Sequence, residues 1–244
     1  MSMPMTPHPV PARALVIAAH PDDADYGCGG LLAGWARSGC EITVVCVTDG
    51  DSGGFDDDVD RAQVPVLRRQ EQQAAADALG VRHVVFLGRP DGFVTVDADL
   101  RRDLARVVRQ VRPEVVVTHS PERNYRFYYL CHTDHLATGS AALTAVYPDA
   151  RNAFAFPELR SDEGLEPWKV PQVWLFGDPA PDRAVDVTDT FDAKVAACNA
   201  HSSQTPMLDG SVEAVLRGSL AETAREHGMP TGRLAEVYRV VLTG

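Results

Sequence analysis

The residues with the most evident chemical potential are His20, Asp22 and Asp23, in the run His20-Pro21-Asp22-Asp23 that follows the apolar segment Ala14-Leu15-Val16-Ile17-Ala18-Ala19. Imidazole nitrogen and carboxylate oxygen are ligand types of Zn²⁺ and its first-row neighbours. A further carboxylate beside a ligand stands where a general base for metal-bound water is needed. A second cluster, His132-Thr133-Asp134-His135, supplies more imidazoles far along the chain. Taking His20, Asp23 and His135 as the three protein ligands leaves one position open, as a catalytic site requires. Asp22 cannot readily bind the same ion in the same geometry as its neighbour, and is placed to take a proton from water. His132 and His135, at i and i+3, share a helix face. His132 can therefore overhang the open position as oxyanion stabiliser or general acid, with Asp134 expected to hold its tautomer.

Each cluster alone has a plainer reading. Paired aspartates in a loop are usually a turn or a helix cap, and a His-x-x-His pair is usually a surface or satisfied core pair. Gly27-Cys28-Gly29-Gly30 reads as a turn that lets a helix begin close to the metal. It is not the G-x-G-x-x-G of a dinucleotide site. Two histidines and a carboxylate also serve non-haem iron oxygenases. An acid and a base flanking a Lewis acid fit hydrolysis better, so Zn²⁺ is the expected ion, with Fe²⁺ as the alternative.

These clusters need elements to bring them together. Apolar, β-branched runs at 13–19, 41–48, 82–87 and 114–118 predict strands. Helical patterns at 30–38, 65–79, 97–111 and 133–146 separate or follow them, with Pro65 tolerated in a first turn and Gly80 as a stop. Continuous apolar strands alternating with helices predict a Rossmann-like, doubly wound α/β fold with a mainly parallel sheet. In the order 3-2-1-4-5 the first and fourth strands are neighbours at the switch point, where ligands bind beyond the carboxyl ends. The two clusters follow those two strands. Beyond Pro148 the pattern loosens, with candidate strands at 172–176 and 184–187, a helix at 191–200 and a strand or helix at 236–242. A single domain over 13–244 with an irregular C-terminal cap is expected, preceded by an extended or disordered segment, 1–12.

The bulk properties exclude several classes. At 244 residues, 45% hydrophobic and 23% charged, the chain resembles an ordinary globular domain. A formal net charge of -11 argues against a nucleic-acid or anionic-membrane partner. No apolar run approaches the roughly 20 residues of a bilayer span, and the proline-rich start lacks the apolar stretch of a signal peptide. Cys28, Cys40, Cys46, Cys131 and Cys198 are odd in number and scattered, which fits a reducing cytoplasm. The expected partner is a small molecule, with a homo-oligomer left open.

The motifs resemble those of the PIG-L/LmbE-like metal-dependent deacetylases. Ala19-His20-Pro21-Asp22-Asp23 with Gly27-Cys28-Gly29-Gly30 is similar to that family's first motif, and His132-Thr133-Asp134-His135 to its second, where proline is commoner than Thr133. Arg68 to Glu71, Leu79-Gly80-Val81, Leu87-Gly88, Asp91-Gly92, Lys194 and His201-Ser202-Ser203-Gln204 extend the resemblance. It implies zinc on His20, Asp23 and His135, Asp22 as general base, His132 assisting the tetrahedral intermediate, and Arg68 and Asp91 contacting the sugar or its substituent. On the residues alone, Arg68 would be a solvated helix charge and Asp91 a turn residue. Asp25 departs from the family's frequent glutamate, and residues 120–131 form a long aromatic loop that either lines a substrate groove or packs down. The expected activity is removal of an N-acetyl or N-acyl group from an amino-sugar-containing small molecule. The rivals are a zinc amidase on another amide, such as a thiol conjugate or an antibiotic, and a non-catalytic binding module of the same fold.

Overall fold

The computed structural model describes residues 9–54, 58–205 and 210–244, so the first eight residues of the expected leading segment lie outside it. Seven strands form one sheet in the order β3-β2-β1-β4-β5-β7-β6. They are β1 (Arg13–Ala18), β2 (Glu41–Thr48), β3 (His83–Arg89), β4 (Val115–His119), β5 (Gln172–Phe176), β6 (Arg183–Asp186) and β7 (Ala235–Leu242). β1 to β5 pair in parallel, with β1 between β2 and β4, and β7 runs antiparallel to both β5 and β6. The sheet is therefore a doubly wound α/β sheet with an antiparallel extension.

Alternate strand residues feed two cores. Ala14, Val16, Ala18, Val44 and Val117 pack with α1 (Asp23–Arg37), α2 (Val64–Leu79) and α6 (Phe191–Ala200). Leu15, Ile17, Val45 and Val116 pack with α3 (Ala98–Val111) and α4 (Thr133–Thr144). Covering on both faces explains why these strands read as unbroken apolar runs. Local signals set the helix ends. Asp97 caps α3 by accepting from the Leu100 N–H at 2.7 Å, and Gly80, at φ 79°, terminates α2.

Two expectations are corrected. α1 begins at Asp23 rather than Gly30, so the glycines lie inside a helix and form no turn. Their role is close approach: a Cβ on Gly27 would sit 2.8 Å from the Phe176 ring, and one on Gly30 2.7 Å from Val187 Cβ. The C-terminal third is also no irregular cap. Its strands complete the sheet, α6 packs on α1 and α2, and α7 (Val212–Glu226), unassigned from sequence, buries Val212, Leu216, Leu220 and Ala224. Glu158–Ser161 adds one short turn, α5. No helix among the described residues is long and apolar enough to cross a membrane.

Candidate metal-dependent active site

β1 and β4 end side by side, and the two histidine-bearing clusters meet beyond their carboxyl ends. Asp23, on the first turn of α1, is the hub. Its Oδ1 lies 3.1 Å from His135 Nε2. Its Oδ2 lies 3.3 Å from His20 Nδ1, 3.1 Å from His119 Nε2, and 2.7 Å from the His20 N–H that donates to it. Two donors bound tetrahedrally at zinc distances of about 2.1 Å would themselves stand about 3.4 Å apart. The Asp23 pairs are thus spaced as neighbouring corners of one coordination shell, and the mixed nitrogen and oxygen donors fit a divalent metal. Three overlapping triads bring ligand atoms within 4.8 Å: His20, His132 and His135; Asp23, His119 and His135; His20, Asp91 and Asp134.

The far side of His20 meets two carboxylates, Asp91 Oδ1 at 3.0 Å and Asp134 Oδ2 at 3.3 Å from Nε2. Asp134 is fully buried and also accepts from the Gly92 N–H at 2.7 Å and the Val94 N–H at 3.1 Å. An imidazole whose Nε2–H is given to a carboxylate presents the Nδ1 lone pair toward Asp23, the carboxylate–histidine–metal arrangement. Burial opposes a charge on His20, yet Asp23, Asp134 and Asp91 outweigh it and push its pKa up to about 12. Without a metal the ring therefore carries a proton on each nitrogen, and an ion bound at Nδ1 would have to displace one of them.

His132 is held differently from the sequence expectation. The Asp134 carboxylate goes to His20, and it is the Asp134 peptide N–H that donates to His132 Nδ1, at 3.2 Å. That bond leaves the neutral ring with its proton on Nε2. Burial, with His20 and His135 nearby, also lowers the His132 pKa. Its ring stands edge-on to His20, with centroids 4.9 Å apart, and 5.2 Å from His135.

Asp22 carries the local strain. It adopts φ 103°, a conformation costing a non-glycine residue of order 1–3 kcal/mol and commonest at functional sites. Its carboxylate accepts from Arg68 Nη2 at 3.0 Å. Burial raises the Asp22 pKa, with Arg68 opposing. Arg68 is no solvated helix charge. It is 2% exposed, donates also to the Pro21 carbonyl, and leaves Nε and Nη1 without partners. Asp91 occupies a turn, with its carboxylate on His20 and its N–H donating to Asp51 Oδ1 at 2.8 Å.

Sequence reasoning did not anticipate His119, which is buried at the end of β4 and stacks on His135 at 4.2 Å. Its signal was the one used for His20, an imidazole closing an apolar strand. In the aromatic loop, Tyr125, Tyr128 and Tyr129 are more than 70% exposed, so these rings do not pack it down. Asn124 Nδ2 ties the loop to the Gly177 carbonyl at 3.2 Å. Phe127, Tyr129 and Leu130 line a groove of about 710 Å³ with Phe176, whose ring packs on His119.

A doubly wound sheet with histidines and aspartates gathered at the β1–β4 switch point is an arrangement suited to a metal-dependent enzyme. The chain belongs to the PIG-L family, GlcNAc-PI de-N-acetylase, whose pattern matches residues 15–146. It is 31% identical to the 1D-myo-inositol 2-acetamido-2-deoxy-alpha-D-glucopyranoside deacetylase of Mycobacterium sp. (strain JLS), over 86% of this chain and 79% of that protein. Among solved structures it resembles the N,N'-diacetylchitobiose deacetylase of Pyrococcus horikoshii, with a TM-score of 0.85 and 27% identity over 95% of this chain and 84% of that one. The 4-carboxy-2-hydroxymuconate hydratase GalB of Pseudomonas putida KT2440 is also similar, with a TM-score of 0.78 and 27% identity over 95% and 97% of the two chains.

Proposed function

We propose that this protein is a zinc-dependent hydrolase that removes an N-acetyl or other N-acyl group from the amino sugar of a small molecule, with residues 13–244 as its catalytic unit. The observation carrying this reading is one turn that places a strained, Arg68-bound Asp22 beside Asp23, the carboxylate on which His20 and His135 converge. The two deacetylase relatives act, by their names, on N-acetylated sugars, which supports the substrate class.

His20, Asp23 and His135 would hold the ion, and their donor set suits Zn²⁺, with Fe²⁺ as the alternative. Zinc there supplies Lewis acidity for the amide carbonyl and acidifies water. Asp22 removes a proton as the water oxygen bonds to the acyl carbon. The same proton passes to the nitrogen as the C–N bond breaks, giving a carboxylic acid and a free amine, which then exchange a proton to leave carboxylate and ammonium. A pKa raised by burial suits Asp22 to both transfers. His132 donates from Nε2 to the oxygen of the tetrahedral adduct. With Nδ1 occupied by a peptide N–H, His132 serves as a neutral donor rather than the acid.

Asp22→Asn is expected to retain metal and lose turnover by about 10²–10⁴-fold. Near-normal turnover in that variant would refute the base assignment. The substrate class is tested with N-acetylglucosaminides, longer N-acyl sugars, cysteine-conjugate amides and, because of the hydratase likeness, a hydroxymuconate. Release of amine from the first group and no hydration of the last is the expected outcome.

A further inference from the structure

The strained Asp22 peptide is clamped from α2 by two side chains one helical turn apart, Arg68 on its carboxylate and Gln72 on its backbone. The Asp22 N–H donates to Gln72 Oε1 at 2.8 Å. Its carbonyl accepts from the Asp25 and Tyr26 N–H groups at 2.9 and 3.0 Å, so α1 fixes the opposite side of the same residue. Gln72 is fully buried. Its other end, Nε2, donates to Asp25 Oδ2 at 3.0 Å, and the same oxygen lies 2.8 Å from His201 Nε2.

The polarity of this chain is fully determined. A carboxylate can only accept and a peptide N–H can only donate, so the group between them must donate at one end and accept at the other. A glutamine amide does both. Glutamate at position 72 would set two carboxylates against each other, and an apolar residue would leave a buried N–H unsatisfied. Asp25 is in none of the candidate metal triads of the described residues.

We propose that Gln72, oriented by Asp25 and His201, is a positioning residue for the base: its amide oxygen holds the Asp22 peptide in its strained conformation and so keeps the Asp22 carboxylate trained on the attacking water. The proposal rests on Asp22 being the base, and the test separates the two ideas.

Gln72→Met preserves length and removes the hydrogen bonds to the Asp22 N–H and to Asp25, along with the weak contact from Cys46 Sγ to Oε1 at 3.8 Å. It is expected to lower kcat per bound metal by about 10–100-fold, the scale of a displacement near 1 Å, with KM and metal content unchanged within about twofold. In the Asp22→Asn background the same substitution should change the residual kcat by less than about twofold, because its effect runs through the base. Equal losses in both backgrounds, or a fall in metal content that accounts for the lost kcat, would overturn the positioning role. Asp25→Leu, which is close in shape and offers no acceptor to Gln72 Nε2, runs the same cycle and decides the question if Gln72→Met does not fold. Wild-type turnover in Asp22→Asn alone would instead refute the base.

Discussion

His119 and His135 stack on each other and both face Asp23, yet they are not equivalent donors. His119 Nε2 also accepts from the Ala19 N–H at 3.2 Å, so its lone pair is already engaged by the backbone. Burial lowers its pKa to about 4, which keeps it neutral. Among the described residues, His135 Nε2 meets Asp23 and accepts from no backbone N–H. His135→Ala is therefore expected to lose the bound metal, whereas His119→Ala should retain it with a less rigid Asp23. Metal content after dialysis checks this, and a fully loaded His135→Ala would refute the ligand set. The donor types were legible in sequence, since His20-Pro21-Asp22-Asp23 already supplies an imidazole and two carboxylates. The partner of each nitrogen was not. Asp134, two residues from His132, bonds through its carboxylate to His20, because α4 turns that side chain inward toward the end of β1.

The placement of His135 depends on how closely α4 can approach β4. At Gly139 a Cβ would fall 2.3 Å from the His119 carbonyl oxygen and 3.1 Å from the Pro121 nitrogen. Backbone on both sides leaves no rotamer to relieve the clash. Gly139→Ala is expected to cost at least about 2–3 kcal/mol and to weaken metal binding by pushing α4 away from the end of β4. Denaturant unfolding and metal titration would measure both, and unchanged values would show that the helix is free to shift. Strands β2 and β5 were predicted to the residue because β-branched runs between breakers leave little choice. α1 was predicted seven residues short because its glycines look like a turn. They are tolerated inside the helix because Phe176 and Val187 press on it and because Glu236 accepts from the Gly30 and Leu31 N–H groups at 2.9 Å while Lys194 binds the Asp25 and Tyr26 carbonyls.

On the scale of the molecule, the proposed ligands join the end of β1, the start of α1 and the start of α4. A metal held by all three stabilises the folded chain alone, because an unfolded chain does not assemble them. Metal at about a hundred times its Kd adds roughly 2.7 kcal/mol. For a domain of this size, complete chelation is then expected to lower Tm by roughly 5–10 °C. Calorimetry before and after chelation, with restoration by added zinc, checks it. A Tm indifferent to chelation would place the ion outside this junction.

By itself the sequence determined the donor types, the alternation of strand and helix, and hence the sheet order around β1 and β4, because these follow from side-chain chemistry and hydrophobic period. Tertiary structure decided which carboxylate meets which imidazole, that Arg68 is buried against Asp22, and that the last third of the chain extends the sheet. Those outcomes turn on distances between residues remote in sequence, and local pattern carries no record of them.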